Sequence, residues 1–190
     1  MGLDMYLEKC NRMAWGFRSF DVDEVKESNP KLYKQIKPYL HQRGKYITWE
    51  SIFEEVGYWR KANAIHKWFV ENVQDGVDDC DYYEVTKEQL EELREICIRV
   101  RDYSKLEYGQ IKNGEQIKDG EWVPIYVEGE YIVNPEMAKE LLPTTDGFFF
   151  GSTEYDQWYL ADIENTIAIL TKALETTDFD LEIIAYNASW

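Results

Sequence analysis

The residue types best able to do chemistry concentrate between Glu55 and Val73, in the run E-V-G-Y-W-R-K-A-N-A-I-H-K-W-F-V-E-N-V. Read as one helix at about 100° per residue, this stretch puts Asn63, His66 and Lys67 within one turn, with Arg60 beside Asn63 and Lys67. Two cations, an amide and an imidazole that titrates near neutrality would suit a phosphate or carboxylate, and Trp59 would wall such a pocket. On the same wheel Tyr58, Trp59, Ala62, Ile65, His66, Phe69 and Val73 form one apolar arc opposite Arg60, Lys67 and Glu71. The plainer reading therefore makes His66 a core histidine hydrogen-bonded to backbone, and leaves Arg60, Asn63 and Lys67 as the ligand contacts. His41 is the only other histidine, and no cysteine stands at a spacing that suits zinc, so a zinc site is not expected.

Carboxylates are the second resource. The chain of 190 residues holds 37 acidic and 21 basic side chains, a formal charge of −16. Such a field repels nucleic acid and anionic membranes and favours basic partners. Asp75, Asp78, Asp79 and Asp81 fall in the loop Q-D-G-V-D-D-C-D, whose spacing departs from a calcium-binding loop, so no metal is expected there. Thr86 to Gln89 then matches a capping box. It starts a helix running to about Tyr103, with a core stripe of Leu90, Leu93, Ile96 or Cys97, and Val100. Glu88, Glu91, Glu92 and Glu95 lie on its outer face. Duplex DNA carries one charge about every 1.7 Å, and carboxylates on a helix reach comparable density, so this surface could enter a basic nucleic-acid groove.

Nucleophiles are poorly supported. Ser152 and Thr153 lie in G-S-T-E, which lacks the second glycine of a nucleophile elbow. Cys10, Cys80 and Cys97 form no C-x-x-C pair and read as reduced thiols. There is no phosphate-binding or dinucleotide-binding glycine motif, and no cofactor is expected. No apolar run approaches a membrane span, and the start M-G-L-D-M-Y reads neither as a secretion signal nor as an acylation site.

Several elements must position these groups. Leu3, Met5 and Leu7 alternate with polar neighbours as a strand. A short helix is expected from Pro30, limited by Pro38, and Tyr46 to Trp49 reads either as a brief strand or as the lead into a short turn at Ser51 to Glu54. From Tyr108 to Val133, turn signals at Asn113-Gly114, Asp119-Gly120 and Glu128-Gly129-Glu130 suggest a meander of hairpins, with Pro124 on an edge. Asn134-Pro135 starts a helix that Pro143 ends. Gly147 to Gly151, G-F-F-F-G, suits a buried strand. Thr153 with Asp156 would cap a long helix with core residues Ile163, Ile167, Leu170 and Leu174, and Leu181 to Tyr186 would be the last strand. The expected fold is α+β: one domain over 1–190, a small, mainly antiparallel sheet packed with three to four helices, and a β-hairpin insertion around 104–134.

The segments E-V-G-Y-W-R-K-A-N-A-I-H-K-W-F-V-E-N-V-Q-D-G-V-D-D-C and L-L-P-T-T-D-G-F-F-F-G-S-T-E-Y-D-Q-W-Y, with the M-G-L-D-M-Y-L start and the S-W end, resemble a family of small proteins encoded by bacteriophages and prophages. The resemblance implies a phage setting and action in the cytoplasm of a bacterial host, and carries over no catalytic residue. In that setting the acidic surface suggests a non-enzymatic, anti-CRISPR-like inhibitor. It would hold the basic groove of a host defence nuclease, such as a Cas effector, through Asp75, Asp78, Asp79, Asp81, Glu88, Glu91, Glu92 and Glu95. The alternative is a protein or enzyme that binds a nucleotide or other phosphorylated metabolite through Trp59, Arg60, Asn63, His66 and Lys67, with G-F-F-F-G as a pocket wall.

Overall fold

A computed structural model describes residues 2–15, 26–37, 40–43, 46–49, 53–147 and 149–190. The central sheet is antiparallel throughout, in the order β4 (Glu54–Arg60), β1 (Asp4–Asn11), β8 (Glu182–Ser189), β5 (Tyr83–Val85). The first and last strands are thus its two inner strands. Leu3, Met5 and Leu7 before and within β1, and Ile184, Tyr186 and Ala188 on β8, all point to one face and are buried. The intervening Cys10, Ile183 and Ala185 face the other way, in a smaller cluster with Trp15, Phe53 and Tyr82. Period-two alternation explains both faces.

Three helices cover the larger apolar face: α3 (Asn63–Asn72), α4 (Lys87–Tyr103) and α6 (Gln157–Thr176). Leu90, Leu93, Cys97 and Val100 from α4 meet Ile163, Leu170 and Ala173 from α6 in one core. Each fully buried side chain of this size contributes about 1.5–3 kcal/mol. Several further elements are short. They are α1 (Arg12–Trp15), α2 (Pro30–Ile36), α5 (Glu136–Leu141), and the pair β2 (Leu40–Arg43) with β3 (Tyr46–Trp49). The mixture is α+β. Among the described residues no helix is long and apolar enough to cross a membrane.

The stretch Glu55 to Val73 is not one helix. Its first half is strand β4, paired with β1 from Asp4 opposite Arg60 to Lys9 opposite Glu54. Val56, Gly57 and Trp59 are buried, whereas Tyr58 and Arg60 are exposed, so Tyr58 leaves the core that a helical wheel gives it. Sheet pairing overrides the helical spacing here, and Gly57 shows how closely the layers meet. A Cβ on Gly57 would stand 2.2 Å from Ile169 Cγ2 on α6. Lys61 then reverses the chain at a left-handed φ of 62°. Ala62 follows at φ −76° and ψ 69°, with Asn63 N donating to Lys61 O at 2.9 Å. That is an inverse γ-turn, and it delivers the chain into α3.

Between α4 and α5 stands one long hairpin, β6 (Leu106–Lys118) with β7 (Glu121–Ile132), rather than a meander. Asp119 and Gly120 both have positive φ, 55° and 87°, the conformation of a two-residue hairpin turn. Asn113-Gly114 instead forms a register shift within the ribbon, and Gly129 lies opposite Gly109 in mid-strand. Gly129 serves packing, since a Cβ there would come within 2.4 Å of Ile111 Cδ1. The G-F-F-F-G segment is not a strand at its described positions. Phe149 O accepts from Leu3 N at 3.1 Å, and Phe150 N donates to Gly147 O at 3.1 Å, so the segment turns onto the start of β1. The cap of α6 is Asp156 itself, not Thr153. Strand β8 continues past Tyr186 to Ser189.

Candidate functional site

The β4–α3 reversal, Thr144, the stretch from Gly151 to Glu154 and the first turns of α6 enclose a cleft of about 360 Å³. Asn63 builds its floor. The side chain is 4% exposed; its Nδ2 donates to Phe150 O at 3.0 Å and Ser152 O at 2.8 Å, while its Oδ1 accepts from Thr145 N at 3.1 Å. An asparagine at the first helical position thus clamps a distant loop instead of capping its own helix. Gly151, at φ 92°, lies against Lys61, to which a Cβ would approach within 3.1 Å of the Lys61 Cβ. Two left-handed residues therefore meet at the cleft wall. Lys61 is the costly one, because a side chain at that φ carries roughly 1–2 kcal/mol of strain.

Cations line one side and carboxylates the other. The Arg60 guanidinium lies 4.0 Å from Asp4 Oδ1, and the exposed Lys61 side chain makes no hydrogen bond or ion pair among the described residues. Across the cleft, Asp156 is 2% exposed and accepts from Trp158 N at 2.9 Å and Tyr159 N at 3.1 Å. Asp162, nearly two turns further along α6, is half-buried, and its carboxylate has no hydrogen-bond or ion-pair partner among the described residues. Burial, and then the charge of Asp156, push its carboxyl up to about 7. The Trp158 indole is 64% exposed at the mouth. There the cleft joins a groove of about 750 Å³ under the hairpin, which adds Lys112, Glu115 and Trp122.

The residues expected from the sequence as ligand contacts separate into two groups. Arg60 and Asn63 line the cleft, and Gly151 from G-F-F-F-G is part of its wall. Trp59 is 2% exposed and its indole N–H donates to Thr166 Oγ1 at 2.9 Å, so it fastens β4 to α6 and meets no ligand. His66 is 1% exposed, with Nδ1 at 2.8 Å from Tyr186 Oη. Its Nε2 lies 3.1 Å from Asp78 Oδ1, out of line for a hydrogen bond. It is a core histidine, but its partners are side chains rather than backbone. Burial holds the imidazole below its ordinary value, against the opposing pull of Asp78. Lys67 pairs with Glu71 one turn along the same helix. Both stand away from the cleft because β4 and α3 are not continuous.

The eight acids expected as a partner surface are also unequal. Glu88, Glu91, Glu92 and Glu95 are exposed on α4, although Glu91 lies 3.8 Å from Lys87 Nζ. Asp79 accepts from Tyr83 Oη at 3.0 Å and from Asp81 N at 3.0 Å, while Asp81 accepts from Tyr82 N at 3.2 Å. With Asp78 facing His66, Asp75 alone in this loop makes no side-chain hydrogen bond or ion pair among the described residues. These contacts fold the loop. Among the described residues no group of three or more His, Cys, Asp or Glu side chains is arranged to hold a metal ion.

Sequence reasoning missed Lys61, Asp156, Trp158 and Asp162 as cleft residues. A signal for Asp162 was present: it stands three residues after Tyr159 and four before Thr166, both buried, so it borders the core-facing stripe of a helix where a carboxylate is out of place. Ser152, weighed as a nucleophile, lines the cleft, but its Oγ accepts from Glu154 N at 3.1 Å and no histidine is among the lining residues. The Cys97 thiol is pushed up to about 12 by burial and is inert. Comparison of the chain with models of known families, with curated proteins and with solved structures finds no match.

Proposed function

We propose that the protein binds a small phosphorylated metabolite or nucleotide in the cleft between the β4–α3 reversal and α6. The observation that carries this is that Arg60 and Lys61 line one cleft with Asp162, whose carboxylate has no partner among the described residues, over a floor that Asn63 fixes. The cleft volume falls within the range of small-molecule sites, and strained backbone at Lys61 is typical of ligand clamps. The test is thermal denaturation against a panel of sugar phosphates and mononucleotides. A stabilising compound should lose its effect in Arg60→Ala and Lys61→Ala and keep it in Lys67→Ala. A shift unchanged in all three variants contradicts the site.

The exposed glutamates of α4 support a second function, inhibition of a host defence nuclease such as a Cas effector through a basic groove. Glu88, Glu91, Glu92 and Glu95 repeat along one solvent face. Arg94, Arg99 and Arg101 on the same helix dilute that charge, which places this function behind the cleft. Its check is binding to such a nuclease across a salt series: affinity insensitive to salt, or unchanged after reversal of the four glutamates, rules it out.

A further inference from the structure

We infer that the cleft selects a guanine nucleotide, with the Asp162 carboxylate accepting from the base edge, the Trp158 indole stacking on the base, and Arg60 and Lys61 holding the phosphate. This rests on the proposed use of the cleft as a site for a phosphorylated ligand. The chemistry begins with what Asp162 lacks. It is a half-buried carboxylate lining a cavity, with no donor from the described protein residues and a second carboxylate, Asp156, close enough to oppose its charge. A group so placed is stabilised by a ligand that brings N–H donors. Among the common nucleobases guanine presents two adjacent donors, N1–H and the exocyclic amine, on one edge, and a carboxylate accepts both at once.

The remaining lining fits the rest of such a molecule. Trp158 lines the cleft and is largely exposed at its mouth, and base–aromatic stacking contributes about 1–3 kcal/mol per base. Among the described residues Lys61 supplies an ammonium without an ion-pair partner, and Arg60 a guanidinium whose one acidic neighbour within 4.0 Å is Asp4. Cations at the β4–α3 reversal and the Asp162 acceptor on α6 give the ligand a direction. Uracil and adenine each offer fewer adjacent donors to Asp162. A site built to satisfy a buried polar group rejects analogues that leave it unsatisfied.

Isothermal titration of the full chain with guanosine 5′-monophosphate, adenosine 5′-monophosphate, uridine 5′-monophosphate and ribose 5-phosphate tests the inference. The expected result is a preference of about tenfold or more for the guanine nucleotide. That preference should disappear in Asp162→Asn, which should bind the three nucleotides with similar affinity. Melting curves of Asp162→Asn and Asp162→Glu confirm that both are folded. If the four compounds bind equally, or the adenine or uracil nucleotide binds more tightly, base selection is overturned and the phosphate site stands. If none binds, both fall. A guanine preference that survives Asp162→Asn overturns the role of Asp162.

Discussion

Asn63 Nδ2 donates to the Ser152 carbonyl at 2.8 Å, joining the first turn of α3 to a segment 89 residues later in the chain. Two more bonds from the same amide, to Phe150 O and from Thr145 N, make it the clamp that closes the cleft floor. Asn63→Ala would leave the buried Phe150 carbonyl, the part-buried Ser152 carbonyl and the Thr145 amide without their partner, so a loss of roughly 1–3 kcal/mol is expected in urea denaturation. A change within about 0.5 kcal/mol would show that the clamp contributes little.

Gly57→Ala should destabilise by about 1–3 kcal/mol, because the added methyl meets Ile169 Cγ2 at 2.2 Å. Ile169→Ala alone removes partly buried packing. In the double variant the two costs should add to less than their sum, since the clash is gone. Simple additivity would mean that β4 and α6 separate more easily than their packing indicates.

Asp162 sets a pH dependence of one sign. Its carboxyl titrates at about 7 in the folded protein against 3.8 without the fold. The folded state binds the proton more tightly, so stability is highest below pH 3.8 as far as this group is concerned and is lost as pH rises through about 7. Asp156 raises it further, and Glu154, Arg60 and Lys61 are the other charged residues that line the same cleft. Asp162→Asn should therefore gain roughly 1–2 kcal/mol at pH 8, discounted for the open cleft, and match wild type near pH 4. Equal stability at both pH values would remove Asp162 from the account.

His66 acts in the opposite direction. Burial, partly offset by Asp78, holds it below 6.5, so the unfolded chain binds that proton more readily. Its contribution is full above pH 6.5 and is lost as pH falls below it. Denaturation midpoints compared at pH 7.5 and pH 5 should show a smaller acid loss in His66→Gln than in wild type. An unchanged loss would assign the acid sensitivity to other groups.

The amphipathic helices were the most legible parts of the sequence. Thr86 and Gln89 form the capping box expected of them, with Gln89 N to Thr86 Oγ1 at 3.2 Å and Thr86 N to Gln89 Oε1 at 2.9 Å. The alternating start was equally plain, because Leu3, Met5 and Leu7 have one buried face to fill. The stretch through Tyr58 and Trp59 misled, since V-G-Y-W-R satisfies strand alternation as well as a helical arc, and only pairing with β1 decides between them. The cleft was half legible for the same reason. Arg60 and Asn63 stood out by type, whereas Asp162 reaches them through tertiary packing of α6 that no local spacing encodes. Asn113-Gly114 read as a turn because the dipeptide is a strong hairpin signal, yet the ribbon absorbs it as an irregularity and turns at Asp119-Gly120.

The most direct test of the central claim is a two-dimensional amide NMR titration of the isotopically labelled full chain with guanosine 5′-monophosphate and with ribose 5-phosphate. Binding in the cleft predicts shifts concentrated at residues 60–64, 144–154 and 156–163, with α4 unaffected. No shifts with either compound, or shifts confined to the α4 face carrying Glu88, Glu91, Glu92 and Glu95, would contradict it.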